Sequence, residues 1–315
     1  MKKLLILDSH ALIHRSFYAV RELSLRDGTP INAVYGFARV LLQIIEKMNP
    51  DYFAVVKDMP GKTFRHKQFD GYKATRQKAP QELYDQIPLV YELVSGFHIP
   101  VIGLEGFEAD DLAGTISKSK NIPNNIHRYL ITGDFDYLQL VDDLTTVIHF
   151  KKGFTETKTY DQQGVRTYYG LTIDQVLDYK ALVGDSSDNL PGVRGVGPKT
   201  AQKLISEYKS LDKIYENLDS VSGRAQDLLR ENKENAYMTK SLSKIKCDID
   251  IEIDISHMKF DLNESLNDIE KTFQKFEFNL LSAKLDRMMN KNQITNIQNI
   301  FKEDKKNNPS QGSLF

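Results

Sequence analysis

Leu4-Leu5-Ile6-Leu7-Asp8 is four apolar residues closing on a carboxylate, the pattern of a buried strand that ends at a polar site. The apolar run is too short for the hydrophobic region of a signal peptide. Further runs at residues 52–56, 100–102, 129–132 and 146–150 read as strands, several rich in Val, Ile and aromatic residues. Between the first two, residues 33–48 place Val34, Phe37, Leu41, Ile44, Ile45 and Met48 on one helical face. Strand and helix alternating in this way predict an α/β layer around a mostly parallel sheet. In such sheets ligands gather beyond the carboxyl ends of the strands. Asp8, Asp58 and Asp134 each follow an apolar run directly or nearly so, which already marks a candidate site.

From about Leu171 strand signals fade and helices dominate. Thr172 is placed to cap a helix carrying Ile173, Val176, Leu177 and Leu182. A Gly- and Pro-punctuated segment at 184–198 follows, then amphipathic helices to about residue 290, with one strand-like run near 248–255. The expected organisation is an α/β domain at 1–170, a helical subdomain at 171–290, and a polar tail at 291–315 that lacks the apolar residues for a core.

At 315 residues, 40% of them hydrophobic and 27% charged, the chain has the balance of a globular protein. No apolar run approaches the roughly 20 residues that span a bilayer, so a cytoplasmic protein is expected. The single cysteine, Cys247, excludes an internal disulfide framework and a thiolate zinc site. His10, His14, His66, His98, His127, His149 and His257 show no ligand spacing and read as structural. A net charge of −1 argues at first against a polyanionic partner. Nine acidic residues nevertheless have the look of metal ligands, and setting them aside takes the formal charge from −1 to +8.

Those nine are Asp8, Asp58, Glu108, Asp110, Asp111, Asp134, Asp136, Asp185 and Asp188. Glu108 and Asp111 share a helical face at i, i+3, and Asp185 and Asp188 repeat that spacing. Asp134 and Asp136 follow a strand and point to one side. Each piece alone has an ordinary explanation as a turn, a helix cap or a solvated surface. Together they would repel strongly unless hard cations were present, and an all-oxygen donor set suits Mg²⁺, with Mn²⁺ as substitute. Two such ions can flank a scissile phosphate, one polarising the attacking water and the other stabilising the leaving oxygen. Between Gly61 and Pro80, Lys62, Arg65, Lys67, Lys73, Arg76 and Lys78 interleave with Phe64, Phe69 and Tyr72. That mixture suits phosphate neutralisation and base stacking.

Leu4–Asp8-Ser9, Gly61-Lys62-Thr63-Phe64-Arg65, Tyr72-Lys73-Ala74-Thr75-Arg76, Gly106-Phe107-Glu108-Ala109-Asp110-Asp111, Thr132-Gly133-Asp134-Phe135-Asp136 and the run from Gly184 to Val193 resemble the 5′-to-3′ exonuclease domain of bacterial DNA polymerase I, part of the flap endonuclease superfamily. The likeness extends over about residues 3–285. It implies a PIN-like nuclease fold followed by a helix–three-turn–helix. It also implies one ion held mainly by Asp8, Asp58, Glu108 and Asp110, with Asp111 beside it, and a second served by Asp134, Asp136, Asp185 and Asp188. A basic arch at about 62–85 would pass a 5′ single strand, with Lys73 and Arg76 meeting the scissile phosphate and Lys62, Arg65, Tyr72 and Lys78 gripping DNA. Lys57 stands where the family usually has an aromatic, and Phe135 where a lysine is often found. With no polymerase sequence after it, the chain is expected to be the free-standing form.

Gly192-Val193-Arg194-Gly195-Val196-Gly197-Pro198-Lys199-Thr200 is not a nucleotide-binding P-loop, because Pro198 stands where that motif needs an N–H. The resemblance implies instead that Gly192, Gly195, Gly197, Lys199 and Thr200 hold a duplex phosphate, often with K⁺. At the other end, Gln311-Gly312-Ser313-Leu314-Phe315 resembles the short peptide by which bacterial replication proteins dock on the sliding clamp, with Gln311 in a polar subsite and Leu314 and Phe315 in an apolar pocket. The expected partners are therefore DNA with a 5′ flap, nick or single-stranded end, and the clamp; the expected state is a monomer. Two other functions compete: a non-catalytic DNA-junction binder on the same fold, and a phosphatase with Asp8 as nucleophile. The first would be favoured by missing carboxylates, and the second wants an aspartate where His10 stands.

Overall fold

A computed structural model describes residues 1–150 and 156–290; Gln311, Leu314 and Phe315 lie outside the described residues. Strands β1 (Lys2–Asp8), β2 (Tyr52–Val56), β3 (Val101–Ile102), β4 (Ile126–Thr132), β5 (Thr145–Phe150) and β6 (Thr157–Tyr160) form one sheet in the order β3-β2-β1-β4-β5-β6. The first five run parallel, and β6 closes the edge antiparallel to β5. Helices α1 (Ser9–Ala19), α2 (Asn32–Met48), α3 (Phe64–Gln68), α4 (Gln81–Gly96) and α5 (Ala109–Lys118) fill the crossovers, and α6 (Gln162–Tyr169) follows the sheet. Then come α7 (Val176–Val183), α8 (Pro198–Tyr208), α9 (Leu211–Glu216), α10 (Arg224–Glu231), α11 (Lys233–Ser243) and α12 (Leu262–Lys275).

β1 is the centre of the sheet, and its alternation divides the core. Leu5 and Leu7 join Phe53, Val55 and Ile131 under α2, α4 and α12. Leu4 and Ile6 join Ala54, Val56 and Leu130 under α5 and the helices beyond residue 171. All four β1 side chains are fully buried, each contributing about 1.5–3 kcal/mol. A strand covered on both faces needs an unbroken apolar run, which is what residues 4–7 supply. Parallel order brings the carboxyl ends of β1, β2 and β4 to one edge, so Asp8, Asp58 and Asp134 leave the sheet side by side.

Thr172 does cap, but through a box with Gln175 over a short 3₁₀ turn that leads into α7. The strand-like run near 248–255 pairs with no strand of the sheet among the described residues. Its alternating Ile249 and Ile253 are buried in the core cluster of α5, and Thr115 Oγ1 bonds the backbone on either side of Cys247. The alternation therefore serves an extended strap across α5. No helix among the described residues is long and apolar enough to cross a membrane.

Candidate active site

Asp8 closes β1 and caps α1, accepting from the His10 N–H at 3.1 Å and from Thr132 Oγ1 at 2.9 Å. Asp58 follows β2 and accepts from the Ala109 N–H at 2.7 Å, which ties the start of α5 to the sheet. Asp134, beyond β4, caps the 3₁₀ turn that carries Asp136. Asp185 and Asp188 sit on a tight loop closed by paired backbone bonds between Asp185 and Leu190, 2.8 and 2.7 Å. That loop depends on Gly192, whose φ is +56° and where a Cβ would lie 2.4 Å from the Gly184 nitrogen.

These elements surround a cleft with a cavity volume of about 770 Å³. Asp8, Asp58, Glu108, Asp110, Asp134, Asp136 and Asp185 line it, with Lys73 and Arg76 on its wall. Asp188 adjoins it: one oxygen from each of Asp136, Asp185 and Asp188 lies within 4.8 Å of the others. Burial, reinforced by Asp58 and only partly offset by Thr132, raises the Asp8 carboxyl to about 7. Burial and Asp134 do the same to Asp136, also to about 7. Burial also pushes Asp110 well up. Burial acts the same way on Glu108, but there Lys73 and Arg65 prevail and hold the carboxyl below its ordinary value.

Sequence reasoning missed Lys180. Its ammonium contacts Asp136 and lies 2.8 Å from Asp185 Oδ2, and it outweighs burial to bring Asp185 down to about 2. The one available signal was a lysine inside the otherwise apolar end of α7, five residues before Asp185. Tyr137 was missed as well; it lines the cleft with a buried hydroxyl that has no hydrogen-bond partner among the described residues.

Several expected DNA contacts are placed elsewhere. Arg65 is 1% exposed and forks onto Asp111 at 2.7 and 2.8 Å, while also donating to the carbonyls of Leu242 and Lys244. It cannot touch DNA in this position. Asp111, fully buried, spends its oxygens on Arg65, the Lys246 N–H and the Glu108 N–H, and does not line the cleft. Tyr72 is 3% exposed and donates to Glu108 and Asp188, so its ring is not free to stack on a base. The Gly192 N–H is buried on Thr239 Oγ1 rather than open to a phosphate. Lys62, Lys78, Gly195, Gly197 and Lys199 are exposed. Lys199 and Thr200 line a shallow groove at the start of α8.

Lys73 and Arg76 both line the cleft. Lys73 adopts a left-handed φ of +56°, its N–H donates to the Asp188 carbonyl, and its Nζ reaches Glu108 at 2.9 Å. Arg76, with a side chain 54% exposed, touches Asp188 at 3.3 Å.

The chain thus combines a mostly parallel sheet, a carboxylate-lined cleft at its carboxyl edge with cations on the wall, and a helical module after it. Residues 3–170 match the 5′-3′ exonuclease N-terminal resolvase-like domain, and residues 171–268 match the 5′-3′ exonuclease C-terminal SAM fold. The chain is 36% identical over 288 residues to a 5′-3′ exonuclease of Aquifex aeolicus, covering 91% of this chain and 96% of that one. It is 40% identical over 285 residues to DNA polymerase I of Bacillus subtilis, covering 90% of this chain and 32% of that protein. It spans about a third of the length of the DNA polymerase I relatives it matches. In fold it is similar to the bacteriophage T5 flap endonuclease solved with DNA and metal ions, with a TM-score of 0.64 at 18% identity, covering 91% of this chain and 99% of that one. The chain belongs to the 5′-3′ exonuclease family.

Proposed function

We propose that the chain hydrolyses phosphodiester bonds in DNA close to a 5′ flap, nick or single-stranded 5′ end, as in primer removal and repair, and that it does so as a cytoplasmic monomer. The observation that carries this reading is the convergence of seven carboxylates from separate strand and helix ends on one cleft, with Lys73 and Arg76 beside them. The donor set is all oxygen, its buried Asp8 and Asp136 are raised, and Lys180 already acts as a local counter-cation between Asp136 and Asp185. Hard divalent cations fit such a site. We assign one to Asp8, Asp58, Glu108 and Asp110 and a second to Asp134, Asp136, Asp185 and Asp188; Asp111 is left to Arg65. When bound, Mg²⁺ (or Mn²⁺) would supply Lewis-acid stabilisation of the charge that builds on the phosphate.

The protein's own groups do the positioning. Lys73 and Arg76 draw the phosphate to the carboxylates, and Tyr72 holds Glu108 and Asp188 in fixed relation. We assign residues 1–170 to hydrolysis and 171–290 to duplex binding, where the 195–200 turn grips a phosphate with K⁺ as companion. A labelled 5′-flap duplex incubated with Mg²⁺ or with EDTA, its products sized to the nucleotide, tests the reading. Intact substrate under both conditions would reject it.

Lys73→Ala and Arg76→Ala are expected to lower kcat by about tenfold or more as well as weaken binding, because both act on the phosphate in the transition state. Steady-state kinetics across a salt series distinguishes the alternative. A change in KM alone, with a shallower salt slope, would reduce both residues to general DNA attraction.

We also propose that Gln311, Leu314 and Phe315 dock on the bacterial sliding clamp, since two large apolar residues at the end of a polar tail gain nothing from water. A labelled peptide of residues 300–315 should bind the clamp with a Kd on the order of a few micromolar, roughly −7 to −8 kcal/mol. Binding that persists after Leu314→Ala with Phe315→Ala would reject the motif.

A further inference from the structure

Phe135 stands between Asp134 and Asp136, lines the cleft, and is nevertheless 48% exposed. Its ring is braced. It stacks on the His149 imidazole at 4.3 Å between centroids and 22° between planes. It meets Tyr169 edge-on at 5.9 Å. His149 is itself fixed by a 2.7 Å hydrogen bond to the Gly133 carbonyl and by the edge of Tyr160. One side of Phe135 is therefore occupied by imidazole, while the residue as a whole stays about half exposed at the cleft.

An aromatic ring held this way has little conformational freedom left to lose on binding, and its apolar surface gains from being covered. The occupant must be flat, apolar on its face and attached to a phosphate that Lys73 and Arg76 on the cleft wall attract. A nucleobase meets all three conditions. We propose that Phe135 is a stacking platform for an unpaired base of the nucleotide next to the scissile phosphate. This makes it a positioning and substrate-selecting residue, and the proposal rests on the nuclease reading above. Every base has a π-face, so the contact would favour unpaired over stacked DNA without reading sequence.

The test uses flap substrates carrying either a normal or an abasic nucleotide on each side of the cleavage position, with wild type, Phe135→Ala and Phe135→Trp. Wild type should lose about tenfold in kcat/KM when the contacted base is removed. Phe135→Ala should lose about tenfold on the normal substrate and nothing further on the abasic one, and Phe135→Trp should restore the dependence on the base. In a parallel binding measurement in EDTA, 2-aminopurine at the same position should be quenched by wild type and not by Phe135→Ala. Quenching without cleavage by any variant would sustain the platform and remove the nuclease reading. Cleavage indifferent to the base, or base dependence and quenching that survive in Phe135→Ala, would overturn the platform and leave the nuclease reading standing.

Discussion

Asp8→Asn is expected to reduce cleavage on the order of a thousandfold or more, and at the same time to raise the melting temperature of the metal-free protein at pH 8. Both effects have one cause. Asp8 is 8% exposed at the end of β1, and burial, then Asp58, lift its carboxyl from the ordinary 3.8 to about 7. A group whose folded pKa is raised resists ionisation in the folded state. Its ionised form at pH 8 therefore opposes folding, by about 2–4 kcal/mol for a shift of this size. The cost is absent below pH 4, grows between about 4 and 7, and is complete above 7. Asp136, raised to about 7 by burial and Asp134, adds to the same trend. Metal-free wild type should thus lose stability as pH rises through this window. Asn carries no charge, its carbonyl can accept from the His10 N–H and its amide can donate to Thr132 Oγ1, so the variant should melt several degrees higher at pH 8 and gain little at pH 4. Thermal melts in EDTA at the two pH values, alongside the flap assay, decide the matter. A gain in melting temperature independent of pH, or wild-type turnover, would refute the account.

The parts of this arrangement that were legible in the sequence are those fixed by period and by strand ends. Leu4–Leu7 read as a buried strand, and parallel order carries its closing aspartate to the edge where the other strand-end carboxylates emerge. What the sequence could not convey was which charged groups turn inward. Asp110 and Asp111 are adjacent in the first turn of α5, and neighbours on a helix point about 100° apart. Asp110 therefore lines the cleft, with Arg65 3.7 Å away, while Asp111 takes the guanidinium fork. The i, i+3 relation of Glu108 and Asp111 is real, but it serves a capping box in which each side chain accepts from the other's backbone. Arg65 and Tyr72 carried the composition of a DNA-binding segment because composition records charge and aromaticity, not burial. Lys180 escaped notice because its partners come from Asp136, 44 residues away, and Asp185. The run at 248–255 had the period of a strand without a partner to pair with, and that choice is made by tertiary packing.

Arg65→Ala is expected to destabilise the protein by about 3–5 kcal/mol, the cost of leaving a buried charge without its partner. The guanidinium spans three elements. It lies on α3, forks onto Asp111 in α5, and bonds the Leu242 carbonyl near the end of α11 at 2.8 Å and the Lys244 carbonyl just past it at 3.1 Å. Removal strands a fully buried Asp111 and a buried carbonyl acceptor, and takes from Glu108 one of the two cations that keep it ionised. Arg65→Lys should recover only part of the loss, because an ammonium cannot reproduce the planar fork. Arg65→Ala combined with Asp111→Ala should cost clearly less than the two singles added together, since the second change removes the stranded charge. Urea unfolding of the four variants measures each quantity. A surface DNA ligand would behave otherwise: its removal would leave stability within about 0.5 kcal/mol of wild type and lower the salt slope of DNA binding by about one. That second pattern would return Arg65 to the DNA-gripping set and would mean that the buried fork with Asp111 does not hold α3, α5 and the 242–246 segment together.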